Sequence, residues 1–198
     1  MVSFDLGADF KYVLLNRFKT EGALGKNKVI ATLPKLGKAY DVSFEVKPSK
    51  YQKGWSNVLH LTTGGNIAKY GERTPGVWFH SGSGTKNRFH ICSAINGNRN
   101  YCYNSKDYQV KKWIKLNIQQ IKSGKNYVYI IRINDKEVHR VINKNPAEFK
   151  NVKVFASDPW YNNQPGAIRH LLIRGKISFS ISLCTKCKLS LDSRFITK

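Results

Sequence analysis

Short segments in which apolar and polar residues alternate recur along most of the chain. The clearest covers residues 40–47, where Val42, Phe44 and Val46 alternate with polar side chains until Pro48. A period of two places successive side chains on opposite faces, which is the pattern of a half-buried β-strand. The pattern therefore predicts a strand with one face in a core and the other in solvent.

The turn residues between the alternating segments predict an all-β chain. Roughly a dozen short strands follow one another with turn signals between them, the strongest being Asn96-Gly97 and Asn134-Asp135. No segment has a convincing helical period. We predict an antiparallel β-sandwich over residues 1–175, followed by a short strand extension and basic tail over residues 176–198.

Residues 151–173 are the most distinctive segment of the sequence. An alternating run ends just before Pro159, Trp160 and Tyr161 follow, and apolar residues then resume. Pro, Asn and Gly supply turn chemistry between the two apolar runs. The segment predicts two strands joined by a loop that presents an aromatic pair at one rim of the sandwich.

The large positive net charge favours negatively charged binding partners. The chain of 198 residues carries 34 Lys and Arg against 12 Asp and Glu, a formal net charge of +22. Such a field favours polyanions, namely sulfated glycans, nucleic acid or anionic lipid surfaces, although a basic protein without a charged partner is the alternative. A Lys-rich run over residues 106–125 predicts an anion-binding stripe on one sheet face, with Lys106, Lys111, Lys112 and Lys115 as its candidates.

The four cysteines form two close pairs. Cys92 and Cys102 bracket the Asn-Gly turn, so we expect a disulfide across a hairpin and hence an oxidising compartment. Cys184 and Cys187 lack a second CxxC or a His pair, which favours a local or intermolecular disulfide over zinc. Residues 1–10 lack the pattern of a secretory signal, and no apolar run is long enough for a transmembrane helix.

Five segments together resemble a known family. They are residues 42–48, 54–66, 70–80, 88–98 and 151–173. As a set they are similar to the concanavalin A-like lectin/glucanase superfamily, in the laminin-G-like branch seen in invertebrate extracellular proteins. The resemblance covers most of the chain before the C-terminal extension. It implies a jelly roll of two packed antiparallel sheets, secretion, and binding of glycan or extracellular matrix, without indicating a particular ligand.

Residues suited to carbohydrate recognition are scattered along these segments. Sugars stack their apolar ring faces on aromatic side chains, amides and charges take the hydroxyls, and sulfates require Arg or Lys. Trp55 and Trp78 each fit either a ligand platform or the core. The predicted carbohydrate-binding residues are Asn66, Arg73, Trp78, His80, Arg88, His90, Trp160 and Tyr161.

Catalytic and metal-binding patterns are weak. The Glu-x-Asp-x-Glu motif of glucanases with this fold is absent from the sequence. Asp41 and Glu45 share a strand face but would lie about 13 Å apart, beyond the roughly 5–9.5 Å of paired glycosidase carboxylates. Calcium binding through Asp158 or Asp107 stays an alternative, although this ion prefers several oxygen ligands and the sequence has no acidic cluster. We therefore expect a non-enzyme without a required cofactor.

Two functions follow from these observations. The first is a secreted, non-enzymatic lectin-like module for anionic or sulfated glycans or extracellular matrix, with no nucleic-acid partner. The second is a self-assembling structural or adhesive protein. The alternating residues from Ile177 to Leu183 predict a further strand, which either belongs to the same sandwich or pairs with another copy in a homo-oligomer.

Overall fold

A computed structural model describes residues 12–81 and 87–175. Within these residues the chain forms fourteen strands and no helix. The strands are β1 (Tyr12–Arg17), β2 (Gly22–Ala23), β3 (Val29–Leu36), β4 (Tyr40–Pro48), β5 (Gly54–Thr62), β6 (Gly76–Ser81), β7 (Asn87–Ile95), β8 (Asn98–Asp107), β9 (Ile114–Ser123), β10 (Asn126–Ile133), β11 (Lys136–Asn143), β12 (Phe149–Phe155), β13 (Asn162–Asn163) and β14 (Gly166–Gly175). No helix in the described ranges is long and apolar enough to cross a membrane.

The strands form two seven-stranded sheets. Sheet A has the order β1-β14-β4-β9-β10-β11, with β2 also on β14. Sheet B has the order β3-β12-β5-β6-β7-β8, with the short β13 parallel to β5. The other pairings in both sheets are antiparallel, which confirms the predicted sandwich. The predicted C-terminal extension, with Cys184 and Cys187, lies outside the described residues.

The core lies between the sheets and is built by the alternation seen in the sequence. Val42, Phe44 and Val46 of β4 are essentially inaccessible to solvent, and Val77 and Phe79 of β6 belong to the same cluster from sheet B. Full burial of one such side chain stabilises the fold by about 1.5–3 kcal/mol. The intervening residues point away from the core, so each sheet has a separate outer face.

The two predicted hairpin turns are confirmed. Asn96 and Gly97 have φ values of 53° and 77°, and Asn134 and Asp135 have φ values of 50° and 63°. Two successive residues with positive φ are the requirement of the type I′ turn that fits twisted strands. The first turn places Cys92 opposite Cys102, and the predicted disulfide joins them.

The predicted segment 151–173 forms its two strands in different sheets. β12 lies between β3 and β5 in sheet B, whereas β14 lies between β1 and β4 in sheet A. The aromatic loop between them therefore crosses from one sheet to the other.

The predicted stripe of lysines on one sheet face is wrong. Lys106 lies on β8 of sheet B and Lys115 lies on β9 of sheet A, with Lys111 and Lys112 in the loop between them. The chain changes sheets within this run, which side-chain alternation does not reveal. Lys115 is paired with Asp135, with 2.7 Å between Nζ and Oδ1.

Candidate functional site

The outer face of sheet B brings the predicted carbohydrate-binding residues together in rows across its strands. We call it the tryptophan face and define it by Trp55, Trp78 and Trp160. Trp55 on β5 is the cross-strand partner of His80 on β6, which is the partner of Arg88 on β7. Neighbouring strands lie about 4.8 Å apart, so this row spans about 10 Å.

A second row runs beside the first, one pleat further along the strands. It places Trp78 of β6 opposite His90 of β7, and His90 opposite Asn104 of β8. Asn66, Arg73 and Tyr161 reach the same face from loops, as their contacts below show. Residues separated by almost one hundred positions in the sequence thus form one surface.

Trp55 is the exposed platform of the tryptophan face. Its side chain is 39% exposed, and its ring centroid lies 3.9 Å from that of His80 and 4.6 Å from that of His90. The two imidazoles support the indole from the protein side and leave its other side accessible. The sequence alone does not decide whether Trp55 lies in the core or forms a ligand platform, because an alternating strand has one buried face and one exposed face.

His80 and His90 provide uncharged support for that ring. Burial lowers the pKa of His80, and the nearby Arg88 guanidinium lowers it further. Burial also lowers the pKa of His90, with Arg73, His80 and Arg88 adding to the effect and a hydrogen bond with Asn104 opposing it. Both side chains therefore start below the ordinary value of 6.5 and are neutral at pH 7.

Trp78 is wrongly predicted as a contact residue, because it is only 1% exposed. The Arg73 guanidinium lies 4.4 Å from its ring, and Tyr161 packs edge-on at 5.6 Å. The indole lies over Gly76, where an added Cβ would approach a ring carbon to 2.2 Å. Trp78 is thus the floor under the polar groups of the tryptophan face.

Arg73 fixes the polar part of the tryptophan face. Its guanidinium donates to the backbone oxygen and side-chain oxygen of Asn66, the hydroxyl of Tyr161, Oδ1 of Asn100 and Sγ of Cys92. These five bonds use all of its N–H groups. None of the five acceptors is a carboxylate. The Arg73 charge is therefore held in a buried position by neutral partners, while burial lowers its pKa.

A buried polar network holds the loop that carries Trp160 and Tyr161. Asp158 accepts hydrogen bonds from the backbone N–H groups of both residues and pairs through its other oxygen with Nδ1 of His60 at 2.8 Å. Nε2 of His60 donates to the backbone oxygen of Glu72. Trp160 packs against His60 and remains 40% exposed, as a second aromatic surface on the tryptophan face.

This network also answers the expectation about calcium. Both carboxylate oxygens of Asp158 are fully buried and engaged by protein donors, so the residue has no oxygen to offer a cation. Among the described residues, His90, Cys92 and Cys102 form the one cluster with metal-ligand spacing. The two sulfurs are joined in the disulfide and are not available as thiolates.

The outer face of sheet A has a different composition, and we call it the ion-pair face. Asp41 pairs with Arg174, Glu45 pairs with Arg169, and each pair has an N–O distance of 2.7 Å. Glu137 accepts two hydrogen bonds from Arg140. The carboxylates considered as a catalytic pair are thus each bound to a separate arginine.

Comparisons with known proteins support the fold. No family model and no curated protein matches the sequence. Among solved structures, the CBM40 domain of a Ruminococcus gnavus IT-sialidase, bound to α2,3-sialyllactose, has a TM-score of 0.50 at 10% identity, covering 83% of this chain and 95% of that domain. This similarity identifies the fold as the jelly-roll sandwich found in carbohydrate-binding domains.

Two further solved structures match this chain with lower TM-scores. Domain 4 of AbnA, an extracellular arabinanase from Geobacillus stearothermophilus, in complex with arabinotriose, has a TM-score of 0.46 at 14% identity, covering 80% of this chain and 84% of that domain. An alginate lyase from Alteromonas sp. 272 has a TM-score of 0.41 at 7% identity, covering 68% of this chain and 55% of the lyase. A fold does not by itself separate binding from catalysis, so the function is inferred from the residues of the site.

Proposed function

We propose that the protein is a non-enzymatic carbohydrate-binding module whose tryptophan face takes an acidic glycan. The observation that carries the proposal is the row Trp55–His80–Arg88, in which the strand positions that bear an exposed indole and a guanidinium lie two strand spacings, about 10 Å, apart. A pyranose stacked on Trp55 reaches Arg88 with a carboxylate or sulfate substituent.

Arg88 is suited to the acidic group. Its side chain is exposed and makes no hydrogen bond or ion pair with the residues that the structure describes. A guanidinium with free N–H groups binds a carboxylate or sulfate in a bidentate manner, which is stronger than a neutral hydrogen bond. The charge of Arg73, which has no carboxylate partner, adds a positive potential to the same face.

The stacking component comes from Trp55, with Trp160 extending the surface. Aromatic rings held rigidly by their neighbours bind at a lower entropic cost than mobile ones. The imidazoles of His80 and His90 hold Trp55, and the His60–Asp158 network holds the loop of Trp160. The tryptophan face is therefore organised before a ligand arrives.

The disulfide and the net charge of +22 support an extracellular setting for this function. Extracellular matrices and cell surfaces offer sulfated and uronate-bearing glycans. We propose secretion and glycosaminoglycan-like partners on that basis.

A glycan array read at two salt concentrations tests the proposal. We expect binding to acidic glycans that weakens as salt rises. A Trp55→Ala substitution should weaken binding of neutral and acidic glycans alike, whereas Arg88→Gln should weaken binding of acidic glycans alone. Arg99→Gln is the matched control, because Arg99 is an exposed arginine of the same sheet at the opposite end of β8.

The array also defines failure. Absence of binding to neutral and acidic glycans by the unsubstituted protein would exclude a lectin function. Equal losses from Arg88→Gln and Arg99→Gln would show that net charge, and not the tryptophan face, attracts the glycan.

A further inference from the structure

The sandwich has an open cleft at one edge, away from the tryptophan face. It lies where the end of β8 in sheet B faces the start of β11 in sheet A. A cavity of about 520 Å³ opens there and adjoins a second one of about 240 Å³. Together they fall in the size range of small-ligand sites. We call the two cavities the edge cleft; the residues they share are Lys106, Tyr108 and Asn134.

Two tyrosines and two aliphatic side chains form the apolar part of the edge cleft. Tyr103 and Tyr108 line it from the sheet B side, and Ile133 and Val138 line it from the sheet A side. Tyr103 is stacked on His139 of β11 with ring centroids 5.2 Å apart, and Tyr108 packs against Phe89 at 5.4 Å. These contacts hold both rings in place. Burial raises the pKa of both phenols, so they are uncharged hydroxyl donors at pH 7.

Three lysines surround these rings. Lys106 and Lys136 line the larger cavity, and Lys106 and Lys112 line the smaller one. All three are exposed, and their ammonium groups form no ion pair or hydrogen bond with the described residues. They contrast with Lys115 on the neighbouring strand, which is paired with Asp135.

Two carboxylates of the lining leave the excess of positive charge in place. Glu137 is engaged by Arg132 and Arg140, which together outnumber its single charge and lower its pKa. Asp107 lines the smaller cavity and offsets one of the three lysine charges. The lining of the edge cleft therefore keeps a net positive charge.

We propose that the edge cleft is a second binding site, for a saccharide unit that bears a carboxylate or sulfate group. A tyrosine ring offers a stacking surface for a pyranose, the phenols and the Asn134 side chain offer hydrogen bonds to hydroxyls, and the lysines attract the anionic group. The cleft is separated from Trp55 by three strand spacings across sheet B, about 14 Å. It also opens between the sheets and not on the outer face, so the two sites are distinct.

The edge cleft gives a role to two lysines of the run 106–125, although the run does not form the predicted stripe on one sheet face. Lys106 and Lys112 come from opposite ends of the loop that links the sheets, and both border the same cavity. The two lysines come together because the edges of the two sheets face each other at this cavity. The inference does not require that the tryptophan face bind glycan.

Titration calorimetry with short defined oligosaccharides tests the second site. The probes are a tetragalacturonate, its neutral methyl ester, and a sulfated galactose tetrasaccharide, which distinguish carboxylate from sulfate recognition. In a Trp55→Ala background we expect one remaining site for at least one acidic probe and no binding of the methyl ester. Adding Lys106→Gln with Lys136→Gln should weaken that site at least about tenfold, the loss typical of a charge-assisted hydrogen bond.

Matched controls separate the site from general charge. Lys122→Gln with Lys125→Gln removes the same charge at the β9–β10 turn, at the other end of sheet A, and should leave the affinity within about twofold. Tyr108→Leu keeps an apolar side chain against Phe89 while removing the aromatic surface, and should weaken binding without loss of thermal stability.

Three results would overturn the proposal. One is equal weakening by the two lysine pairs. Another is binding of the methyl ester as tightly as the acid. The third is equal competition by a single-stranded tetranucleotide, which would make the cleft a polyanion site without preference for sugar.

Discussion

The two outer faces of the sandwich differ in how their arginines are paired. On the ion-pair face, Arg169 and Arg174 each meet a carboxylate at 2.7 Å. On the tryptophan face, Arg73 is held by neutral acceptors and Arg88 has no partner among the described residues. In a protein with a net charge of +22, Arg88 differs from the buried Arg73 in having N–H groups that no described residue occupies.

Trp113 and Trp55 differ in the same way. Trp113, beside the ion-pair face, lies between two cations, with the Lys47 ammonium 4.7 Å and the Arg169 guanidinium 4.1 Å from its ring. Trp55 lies against neutral imidazoles and has a free side. A tryptophan covered by cations from the same chain has its π-face occupied, whereas Trp55 offers its own to a ligand.

The largest expected difference between the faces concerns stability. Asp158→Ala removes the acceptor of three buried donors under the tryptophan face, and should lower the free energy of unfolding by about 3–5 kcal/mol. Glu45→Ala on the ion-pair face breaks a partly solvated pair and should cost no more than about 1 kcal/mol. Urea denaturation at pH 7 measures both, and similar losses would contradict the contrast.

A smaller effect is expected from the floor of the tryptophan face. Gly76→Ala places a methyl group into the ring of Trp78 and should cost about 1–3 kcal/mol while changing tryptophan fluorescence. Gly25→Ala is the control, since its Cβ would meet nothing closer than 3.6 Å. An unchanged emission spectrum in Gly76→Ala would show that the indole does not depend on that close approach.

The smallest effect separates the faces by pH. The folded state lowers the pKa values of His80 and His90, so their contribution to stability is full above 6.5 and is lost as pH falls through the lowered values. At Glu45, burial raises the pKa, but hydrogen bonds from His170 and Arg169 outweigh burial and lower it. The contribution of Glu45 to stability is therefore full above pH 4.5 and is lost as the pH falls below that value.

Paired substitutions resolve these two intervals. His80→Gln with His90→Gln should flatten the stability profile below about pH 6.5. Glu45→Gln should change it only below 4.5, the ordinary value for its carboxyl group. Thermal denaturation across pH 4–7 is the measurement, and a histidine effect confined below pH 4.5 would refute the assignment.

The strands and hairpins could be predicted from the sequence because their causes are local. The alternation of Val42, Phe44 and Val46 fixes a strand face, and Asn96-Gly97 fixes a turn. Five of the eight predicted carbohydrate-binding residues are joined by direct contacts on the tryptophan face, His80 is linked to them through the ring of Trp55, and Arg88 and Trp160 border them. The five residues are Asn66, Arg73, Trp78, His90 and Tyr161.

What could not be predicted depends on distant pairings. His60 and Asp158 are 98 positions apart, and their hydrogen bond requires β12 to lie beside β5. Whether Trp55 or Trp78 is exposed depends on which loops cover sheet B, which no period in the sequence reports. The edge cleft likewise requires knowing that β8 and β11 are the edge strands on the same side of the sandwich.

The change of sheets between β12 and β14 has a consequence for the order of folding. β12 joins β3 to β5 and β14 joins β1 to β4, so both sheets stay divided until residues 149–175 are in place. The contacts of β12 with β3 and of β14 with β1 and β4 span more than one hundred positions, those of β12 with β5 span 91 to 95, and such non-local pairings form slowly. The loop with Trp160 and Tyr161 belongs to the same late segment. The tryptophan face should therefore be completed only with the final closure of the sandwich, and the proposed glycan binding should be absent from partly folded precursors.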